Sequence, residues 1–539
     1  MIPRHTILLA ALALLPLATA CASGGSDGAM EDTTAQSSTY DTVSFAPAQE
    51  PNTEEYDHIA ENGFLDARTT PLSTFAIDVD RASYANVRRF LEQGQMPPAD
   101  AVRIEELVNY FEYDDPDPTG REPFAVRTEV ADAPWNPGHR LVRIGIQGRR
   151  MDVRDMPPSN LVFLVDVSGS MEPDLELVKA SLARLVDELR DRDRVGIVVY
   201  AGAAGVVLEP TSDRREILDA LDQLQAGGST AGGEGIRLAY RLARDAYIRG
   251  GNNRVILATD GDFNVGVSSE GELVRLIEEE REDGISLTVL GFGSGNLADA
   301  RMEALADHGN GNYAYVDGQD EAEKVLVREM GGTLFTIAKD VKVQVEFNPA
   351  AVESYRLIGY ENRVMAAEDF NDDRKDAGEL GAGHTVTALY EVVPAGGGSG
   401  DRPRVDPLRY QDRRARAGAE ASGELMTVKL RYKEPEGGES RLIEHAVRDA
   451  GRSLDAASDD LRFAAAVAQW GMLLRGSQHA GRASYDDVAE LARGALGRDE
   501  HGDRAAFVRL VQSSRRLAVR EGDRREDAWD EPAEEPHGH

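Results

Sequence analysis

Residues 161–170, which read Leu-Val-Phe-Leu-Val-Asp-Val-Ser-Gly-Ser, join a continuous apolar run to a short polar loop. The run Leu161–Val165 has the length and composition of a strand that is buried on both faces. Asp166, Ser168 and Ser170 follow within five residues of its end. Gly169 permits the loop to curl, which lets their oxygen atoms converge. The stretch therefore predicts a buried strand with a ligand site at its carboxyl end.

A predicted central domain, residues 159–337, repeats this strand-then-helix order. The further strands are Arg194–Tyr200, Val255–Ala258, Ser286–Phe292 and Asn312–Val316, and the helices are Leu175–Leu189, Arg214–Leu224, Ile236–Tyr247, Leu273–Arg281, Leu297–Ala306 and Glu321–Ile337. Strands that are apolar on both faces and alternate with helices indicate the α/β class, with a doubly wound, mostly parallel sheet of the Rossmann-like kind.

Two further motifs place oxygen donors at the same edge of the predicted sheet. Gly228-Ser229-Thr230 lies in a glycine-rich loop before a helix, and Thr259-Asp260-Gly261 follows the strand Val255–Ala258. Hydroxyls, carboxylates and waters are the ligands of hard cations. Oxygen-only ligation with several waters fits Mg²⁺ best, with Mn²⁺ or Ca²⁺ as alternatives. We therefore expect a divalent metal ion as the cofactor.

In this order and on these elements, the three motifs resemble a von Willebrand factor A domain with a metal-ion-dependent adhesion site. The resemblance implies five metal-site residues, which are Asp166, Ser168, Ser170, Thr230 and Asp260. In that family the serines and the threonine contact the metal directly or nearly so, the aspartates act partly through water, and a glutamate or aspartate of a partner protein supplies the final ligand.

Longer stretches around the same motifs strengthen the resemblance. They are Phe163–Met171, Gly227–Gly233 and Thr259–Gly266, and they resemble a family of bacterial lipoproteins that contain this domain. Members of that family have an N-terminal extension and a C-terminal domain of unknown function. The similarity covers about residues 70 to 530, with specific motifs in the central domain and vague ones in the flanks.

Other classes of chemistry lack their signatures in this sequence. Gly227-Gly228 could suggest a phosphate-binding loop, but no Gly-Lys-Ser/Thr follows it, so we expect no nucleotide binding. Ser168 lies in no Gly-x-Ser-x-Gly elbow and has no histidine placed to activate it, so we expect no enzyme. The formal net charge of -35 repels phosphate backbones, which argues against nucleic acid as a partner.

The N-terminus has the pattern of a lipoprotein signal peptide, residues 1–20. Arg4 and His5 precede the apolar stretch Ile7–Leu17, which is too short to span a bilayer. Leu17-Ala18-Thr19-Ala20-Cys21 then resembles a lipobox, although Ala18 stands where leucine is usual. Cys21 is the sole cysteine, so no disulfide forms within the chain. The alternative is cleavage after Ala20 by ordinary signal peptidase.

The expected location is the cell envelope, with the lipid on Cys21 as the membrane anchor. Residue 22 is alanine, whereas an aspartate there commonly retains lipoproteins in the inner membrane, so the outer membrane is favoured. The sequence leaves open whether the protein faces the periplasm or the cell surface.

The flanking regions have weaker patterns. We predict a flexible tether at 21–70, an N-terminal α+β extension at 71–158, a β-rich domain at 338–440, a helical C-terminal region at 441–520 and a disordered tail at 521–539. The strands Phe124–Val130 and Leu141–Gln147 are too few to bury a core alone. We expect them to join those after Val341 in one β-sandwich, with the central domain inserted in a loop.

The function expected from these features is metal-ion-dependent binding of a protein partner at the envelope. Two alternatives stay open. The first is a scaffold in which the metal only stabilises the fold, and the second is a subunit of an envelope enzyme or metal-insertion complex. Metal-inserting A domains work beside ATPases, and the envelope has no ATP, which counts against the second alternative.

Overall fold

The computed structural model describes residues 54, 56–77, 80–152, 154–228, 232–261, 270–294, 297–329, 335–375, 377–396, 418–435 and 437–530. No helix in these ranges is both long enough and apolar enough to span a bilayer. Ahead of the central domain, the elements are β1 Leu65–Asp66, β2 Leu72–Ala76, α1 Ala82–Glu92, α2 Ile104–Asn109, β3 Phe124–Asp132 and β4 Arg140–Gly148.

The central domain contains six strands and six helices among the residues that the structure describes. In chain order they are β5 Ser159–Asp166, α3 Leu175–Glu188, β6 Arg194–Tyr200, β7 Ala204–Thr211, α4 Arg214–Asp222, α5 Gly232–Asp245, β8 Asn252–Thr259, α6 Glu270–Glu282, β9 Ile285–Gly291, α7 Asp299–His308, β10 Tyr313–Tyr315 and α8 Gln319–Glu323. The strands form one sheet in the order β10-β9-β8-β5-β6-β7. Every pairing is parallel except that of the edge strand β7, which turns back along β6.

Alternate residues of β5 enter two separate hydrophobic cores. Phe163 packs in a core with Val178 of α3, whereas Leu164 packs in another core with Ile236 of α5. The sheet is therefore covered by helices on both faces, which confirms the predicted doubly wound α/β fold. Strand β7 did not emerge from the sequence pattern, because Val206 and Val207 are exposed and its residues do not alternate.

After the central domain the chain forms strands and then helices. They are β11 Thr336–Phe347, β12 Val352–Ile358, β13 Val364–Met365, β14 Leu380–Gly381, β15 Thr385–Pro394, α9 Ala419–Ser422, β16 Met426–Lys433, β17 Arg441–Val447, α10 Asp459–Arg475, α11 Tyr485–Arg493 and α12 Asp503–Asp530. Strands from both sides of the central domain share two antiparallel sheets, with the orders β1-β12-β15-β4-β3 and β13-β2-β11-β16-β17.

The two antiparallel sheets pack face to face as a β-sandwich. The rings of Phe347 on β11 and Tyr390 on β15 lie 5.3 Å apart, and those of Phe124 and Tyr432 lie 4.9 Å apart. Strand β4 precedes the central domain in the sequence and β15 follows it, and the two strands pair along the length of β4. This pairing confirms the expected β domain with the central domain inserted between its strands.

The helices α10, α11 and α12 cover the other face of the sheet that contains β4. Trp470 of α10 is fully buried in the same core as Leu389 of β15 and Ile358 of β12. Its indole nitrogen donates a hydrogen bond to the hydroxyl of Ser514, 3.0 Å away. The β-sandwich therefore has a hydrophobic core on each side of its first sheet.

The tether predicted at 21–70 is wrong from residue 54 onward, whereas residues 21–53 of that prediction lie outside the described part of the chain. Glu54 forms a buried ion pair with Arg89 of α1 at 2.9 Å. Leu65 of β1 pairs with Tyr355 of β12. This segment is ordered by contacts with residues that are distant in the sequence. The local composition, on which the prediction of a tether was based, carries no information about such contacts.

Three other segments differ from their predictions for related reasons. The helix predicted at Glu321–Ile337 is α-helical only to Glu323 and continues as one π-helical turn, Lys324–Arg328. The end of the predicted helix overlaps β11, which begins at Thr336. Strand β17 extends the β region past residue 440, because it pairs with β16 at the edge of the sandwich. Helix α12 continues to Asp530, ten residues into the predicted disordered tail, because arginine, glutamate and alanine favour helix.

Candidate metal centre

The candidate site lies where neighbouring strands of the central sheet end. Strand β5 ends at Asp166 and pairs in parallel with β8, which ends at Thr259. Because the carboxyl ends of parallel strands meet at one edge, the Asp-x-Ser-x-Ser loop and the Thr-Asp-Gly motif lie next to each other. Below, this edge is called the carboxyl edge. The structure thus brings together two of the three motifs that the sequence singled out.

Asp166 is fully buried, and hydrogen bonds hold both of its carboxylate oxygens. Its Oδ1 accepts the backbone N–H of Ser168 at 2.9 Å, and its Oδ2 accepts the hydroxyl of Thr259 at 3.1 Å. The first bond curls the loop back towards the strand, and the second fastens β5 to β8. Asp166 is therefore placed to orient the surrounding hydroxyls, as expected for an aspartate that acts on a metal through intermediaries.

The hydroxyls of Ser168 and Ser170 lie side by side, with their oxygens 3.1 Å apart. Backbone hydrogen bonds fix this loop against the glycine-rich loop: Gly169 donates to the carbonyl of Gly228 at 3.2 Å, and Gly227 donates to that of Val167 at 2.7 Å. The predicted ligand Thr230 follows two residues after Gly228 and lies outside the described residues.

Asp260 lies at the same edge, and its position depends on the glycine that follows it. Asp260 is 2% exposed. Gly261 has a φ of 89°, and a Cβ there would lie only 2.8 Å from the backbone nitrogen of Ala298. Its N–H donates to the hydroxyl of Thr259 at 3.2 Å. Any other residue at 261 would displace the turn that holds Asp260.

The site accumulates negative charge. Burial raises the pKa of Asp166, hydrogen bonds from Ser168 oppose the rise, and the nearby carboxylate of Asp260 adds to it. Burial also raises the pKa of Asp174, and Asp260 contributes again. Asp166 makes no ion pair with any Lys, Arg or His in the described part of the chain. A divalent cation at this edge would neutralise the excess.

The donors present fit a hard cation. They are neutral hydroxyls with carboxylates behind them, the oxygen-only chemistry that Mg²⁺ prefers. Across the described ranges, no three His, Cys, Asp or Glu side chains are grouped so as to hold a metal by themselves.

Tyr200 and Asp174 lie near the site but were not predicted from the sequence, and Thr259 was quoted in its motif without a role of its own. Thr259 donates a hydrogen bond to Asp166, and Asp174 adds a third carboxylate. Tyr200 is buried at the end of β6, and its pKa is raised mainly by burial and further by the nearby carboxylate of Asp166. Gly235 of α5 makes room for Tyr200, since a Cβ there would lie 2.9 Å from the Tyr200 Cβ. Their common signal is position: Thr259 and Tyr200 end strands, and Asp174 precedes a helix.

Three models of known protein families match this chain, one in the central domain and one on each side of that domain in the sequence. The family model for the von Willebrand factor type A domain matches residues 160–327. A model described as von Willebrand factor matches residues 50–143. A model described as "Uncharacterized protein YfbK, C-terminal" matches residues 332–517. Type A domains commonly bind a divalent metal and mediate protein interactions.

The similarity to individual proteins extends along most of the chain. Protein YfbK of Escherichia coli is 45% identical over 473 residues, which are 86% of this chain and 81% of that protein. Protein sll0103 of Synechocystis sp. is 30% identical over 189 residues, 34% of this chain and 43% of that protein. The solved structure of a von Willebrand factor type A protein from Catenulispora acidiphila is 17% identical, with a TM-score of 0.38 over 74% of this chain and 91% of that one. The chain therefore belongs to the YfbK family of proteins with a von Willebrand factor type A domain.

Proposed function

We propose that this protein is an envelope receptor that binds a carboxylate of a partner protein through a divalent metal ion at the carboxyl edge of its A domain. The observation that carries the proposal is the pair of adjacent hydroxyls, Ser168 and Ser170, beside the buried Asp166, which has no cationic partner among the described residues. Neutral direct ligands leave most of the charge of a cation available for one more anionic oxygen.

Each residue has a distinct task in this proposal. Ser168 and Ser170 contact the metal directly, together with Thr230. Asp166 orients the loop through the N–H of Ser168 and the hydroxyl of Thr259, and it acts through water together with Asp260. A bound divalent cation supplies the electropositive position that receives the carboxylate. Mg²⁺ is the proposed ion, with Mn²⁺ or Ca²⁺ as alternatives.

The same geometry argues for binding rather than catalysis. Hydrolysis at a metal needs a general base within hydrogen-bond reach of the attacking water. Both oxygens of Asp166 already accept hydrogen bonds from Ser168 and Thr259, so that carboxylate is committed to holding the loop. We therefore propose a non-catalytic receptor that is held at the envelope by a lipid on Cys21, with the outer membrane as the favoured location.

The test is crosslinking in intact cells, followed by identification of the captured proteins, with and without a chelator. We expect a specific partner that is captured in Mg²⁺ and lost in chelator. Asp166→Ala and Thr230→Ala should abolish capture while the far-ultraviolet circular dichroism spectrum is kept. Capture that survives both the chelator and Asp166→Ala would show that another surface binds the partner. Metal binding without metal-dependent capture would favour a scaffold.

A further inference from the structure

In the described loops at the carboxyl edge, the charged residues are all acidic. The described parts of the loops at this edge are residues 167–174, 201–203, 223–228, 260–261, 292–294, 297–298 and 316–318. They contain four carboxylates, Glu172, Asp174, Asp260 and Asp317, and no lysine, arginine or histidine. A fifth carboxylate, Glu234, lies in the first turn of α5, just after the glycine-rich loop.

This acidity is specific to one edge of the sheet. The described loops at the opposite edge are residues 149–152, 154–158, 189–193, 212–213, 246–251, 283–284 and 309–312. They contain six arginines and six aspartates, so their charges cancel. The acidic carboxyl edge is therefore not a simple consequence of the net charge of the chain.

Two of the acidic residues at the carboxyl edge are available to a partner. Glu172 and Glu234 are exposed, and neither makes an ion pair within the described part of the chain. Asp317, in contrast, is paired with Arg88 at 2.5 Å. Nearby Arg89 does not neutralise the edge, because it is buried and paired with Glu54.

The electrostatic field at this edge selects among possible partners. One divalent cation adds two positive charges, whereas Asp166, Asp260, Asp174 and Glu172 together can contribute four negative ones. The region around the metal stays negative, so an approaching carboxylate among other acidic groups is repelled. A carboxylate flanked by cationic groups is attracted over a distance of about 10 Å, and its association is accelerated.

We propose that the partner presents its metal-binding Asp or Glu within a segment rich in lysine or arginine. This inference rests on the proposed metal-dependent function and names the partner class for the same site. Glu172 and Glu234 select that class, because they are exposed beside the metal position without belonging to it.

The experiment uses the mature full chain and three short synthetic peptides. Two carry one central aspartate flanked by lysines or by glutamates, and the third has lysines around a central asparagine. Binding is measured by fluorescence polarisation in Mg²⁺ and in EDTA. We expect the lysine-flanked aspartate peptide to bind about tenfold more tightly than the glutamate-flanked one at low salt, and the preference to shrink at about 300 mM NaCl.

Variants show whether the named residues cause the preference. Glu172→Gln combined with Glu234→Gln should reduce the discrimination between the two aspartate peptides and should weaken Mg²⁺ binding, measured by calorimetry, by much less than Asp166→Ala does. Glu188→Gln is the control, since Glu188 is also exposed but lies at the far end of α3, and this change should affect neither quantity. Equal discrimination in the double variant and in the control would overturn the assignment of Glu172 and Glu234.

The remaining outcomes separate this inference from the function on which it rests. Metal-dependent binding of both aspartate peptides with equal affinity would overturn the inference and leave the carboxylate-receptor function standing. If neither aspartate peptide binds in a metal-dependent way, or if the asparagine peptide binds as well as its aspartate counterpart, the receptor function fails and the inference fails with it.

Discussion

Thr259 donates its hydroxyl to the carboxylate of Asp166 over 3.1 Å and so ties the ends of two adjacent parallel strands together. The other oxygen of Asp166 accepts the N–H of Ser168. One buried carboxylate thus fixes both the sheet edge and the loop that carries the two serine hydroxyls. Its buried negative charge destabilises the folded state when no cation is bound.

Replacing Asp166 with asparagine should change stability in opposite directions with and without metal. Without metal, Asp166→Asn should be at least as stable as the wild type, because it removes a buried charge that faces Asp260 and keeps the shape of the side chain. With Mg²⁺ at about a hundred times its dissociation constant, the wild type should gain about 3 kcal/mol, and the variant should gain none. Chemical denaturation with and without Mg²⁺ measures both effects.

The control for this prediction is Asp187→Asn on α3, whose side chain is 62% exposed. It should respond to Mg²⁺ as the wild type does. A metal-induced gain in Asp166→Asn equal to that of the control would show that Asp166 is not part of the metal site.

Buried Glu106 on α2 should make stability depend on pH. Burial raises the pKa of Glu106 from 4.5 to about 7, Arg103 opposes the rise, and Glu303 and Asp299 add to it. The folded state therefore holds a proton that the unfolded state releases. The contribution of this proton to the free energy of unfolding is fully present below pH 4.5 and is lost as the pH rises through 7. Glu106→Gln should lose less stability than the wild type between pH 5 and about 8.

Urea denaturation at several pH values measures this difference, with Glu92→Gln as an exposed control on the preceding helix. The control should follow the wild-type profile. A Glu106→Gln profile parallel to that of the wild type would mean that Glu106 ionises normally in the folded protein.

An ion pair joins the A domain to the C-terminal helices. Lys324, whose side chain is 1% exposed, donates to Asp503 at the start of α12 over 2.9 Å and lies 4.2 Å from the centre of the Tyr110 ring. Lys324→Met keeps the apolar stem but leaves Asp503 with Arg328 at 3.3 Å as its remaining cation. We expect a loss of about 1–3 kcal/mol in the free energy of unfolding.

A double-mutant cycle with Asp503→Asn checks that this loss comes from the pair. The double variant should be less destabilised than the sum of the two single variants. Glu176→Gln, which removes the exposed partner of Lys179 on α3, should cost less than about 0.5 kcal/mol. Additive effects of Lys324→Met and Asp503→Asn would exclude a direct coupling.

Membrane anchoring should depend on Cys21 alone. Cys21 is the sole cysteine of the chain and follows the signal-like residues 1–20. Cys21→Ala should leave the protein unprocessed or release it into the soluble fraction, and labelling with a fatty-acid analogue should be lost. Fractionation of cells followed by immunoblotting measures the location. A mature Cys21→Ala protein that still sediments with membranes would refute lipid anchoring.

The candidate site was predictable from sequence to a large extent because its parts are local. Asp166, Ser168 and Ser170 stand within five residues after an apolar strand, and Asp260 follows another such strand. Parallel strands bring their carboxyl ends to one edge, so the position of each motif along its strand predicted their proximity. The supporting contact between Thr259 and Asp166 was not predictable, because it depends on which strands are neighbours in the sheet.

The sequence by itself determined the α/β class of the central domain, the edge where its polar loops meet and the acidity of that edge, because each follows from local order and periodicity. Only the tertiary structure decided that β4 pairs with β15 across the inserted domain and that Glu54 reaches Arg89. The physical reason is that strand pairing and buried ion pairs are chosen by free energy gained between distant segments. Short windows of sequence carry no record of those partners.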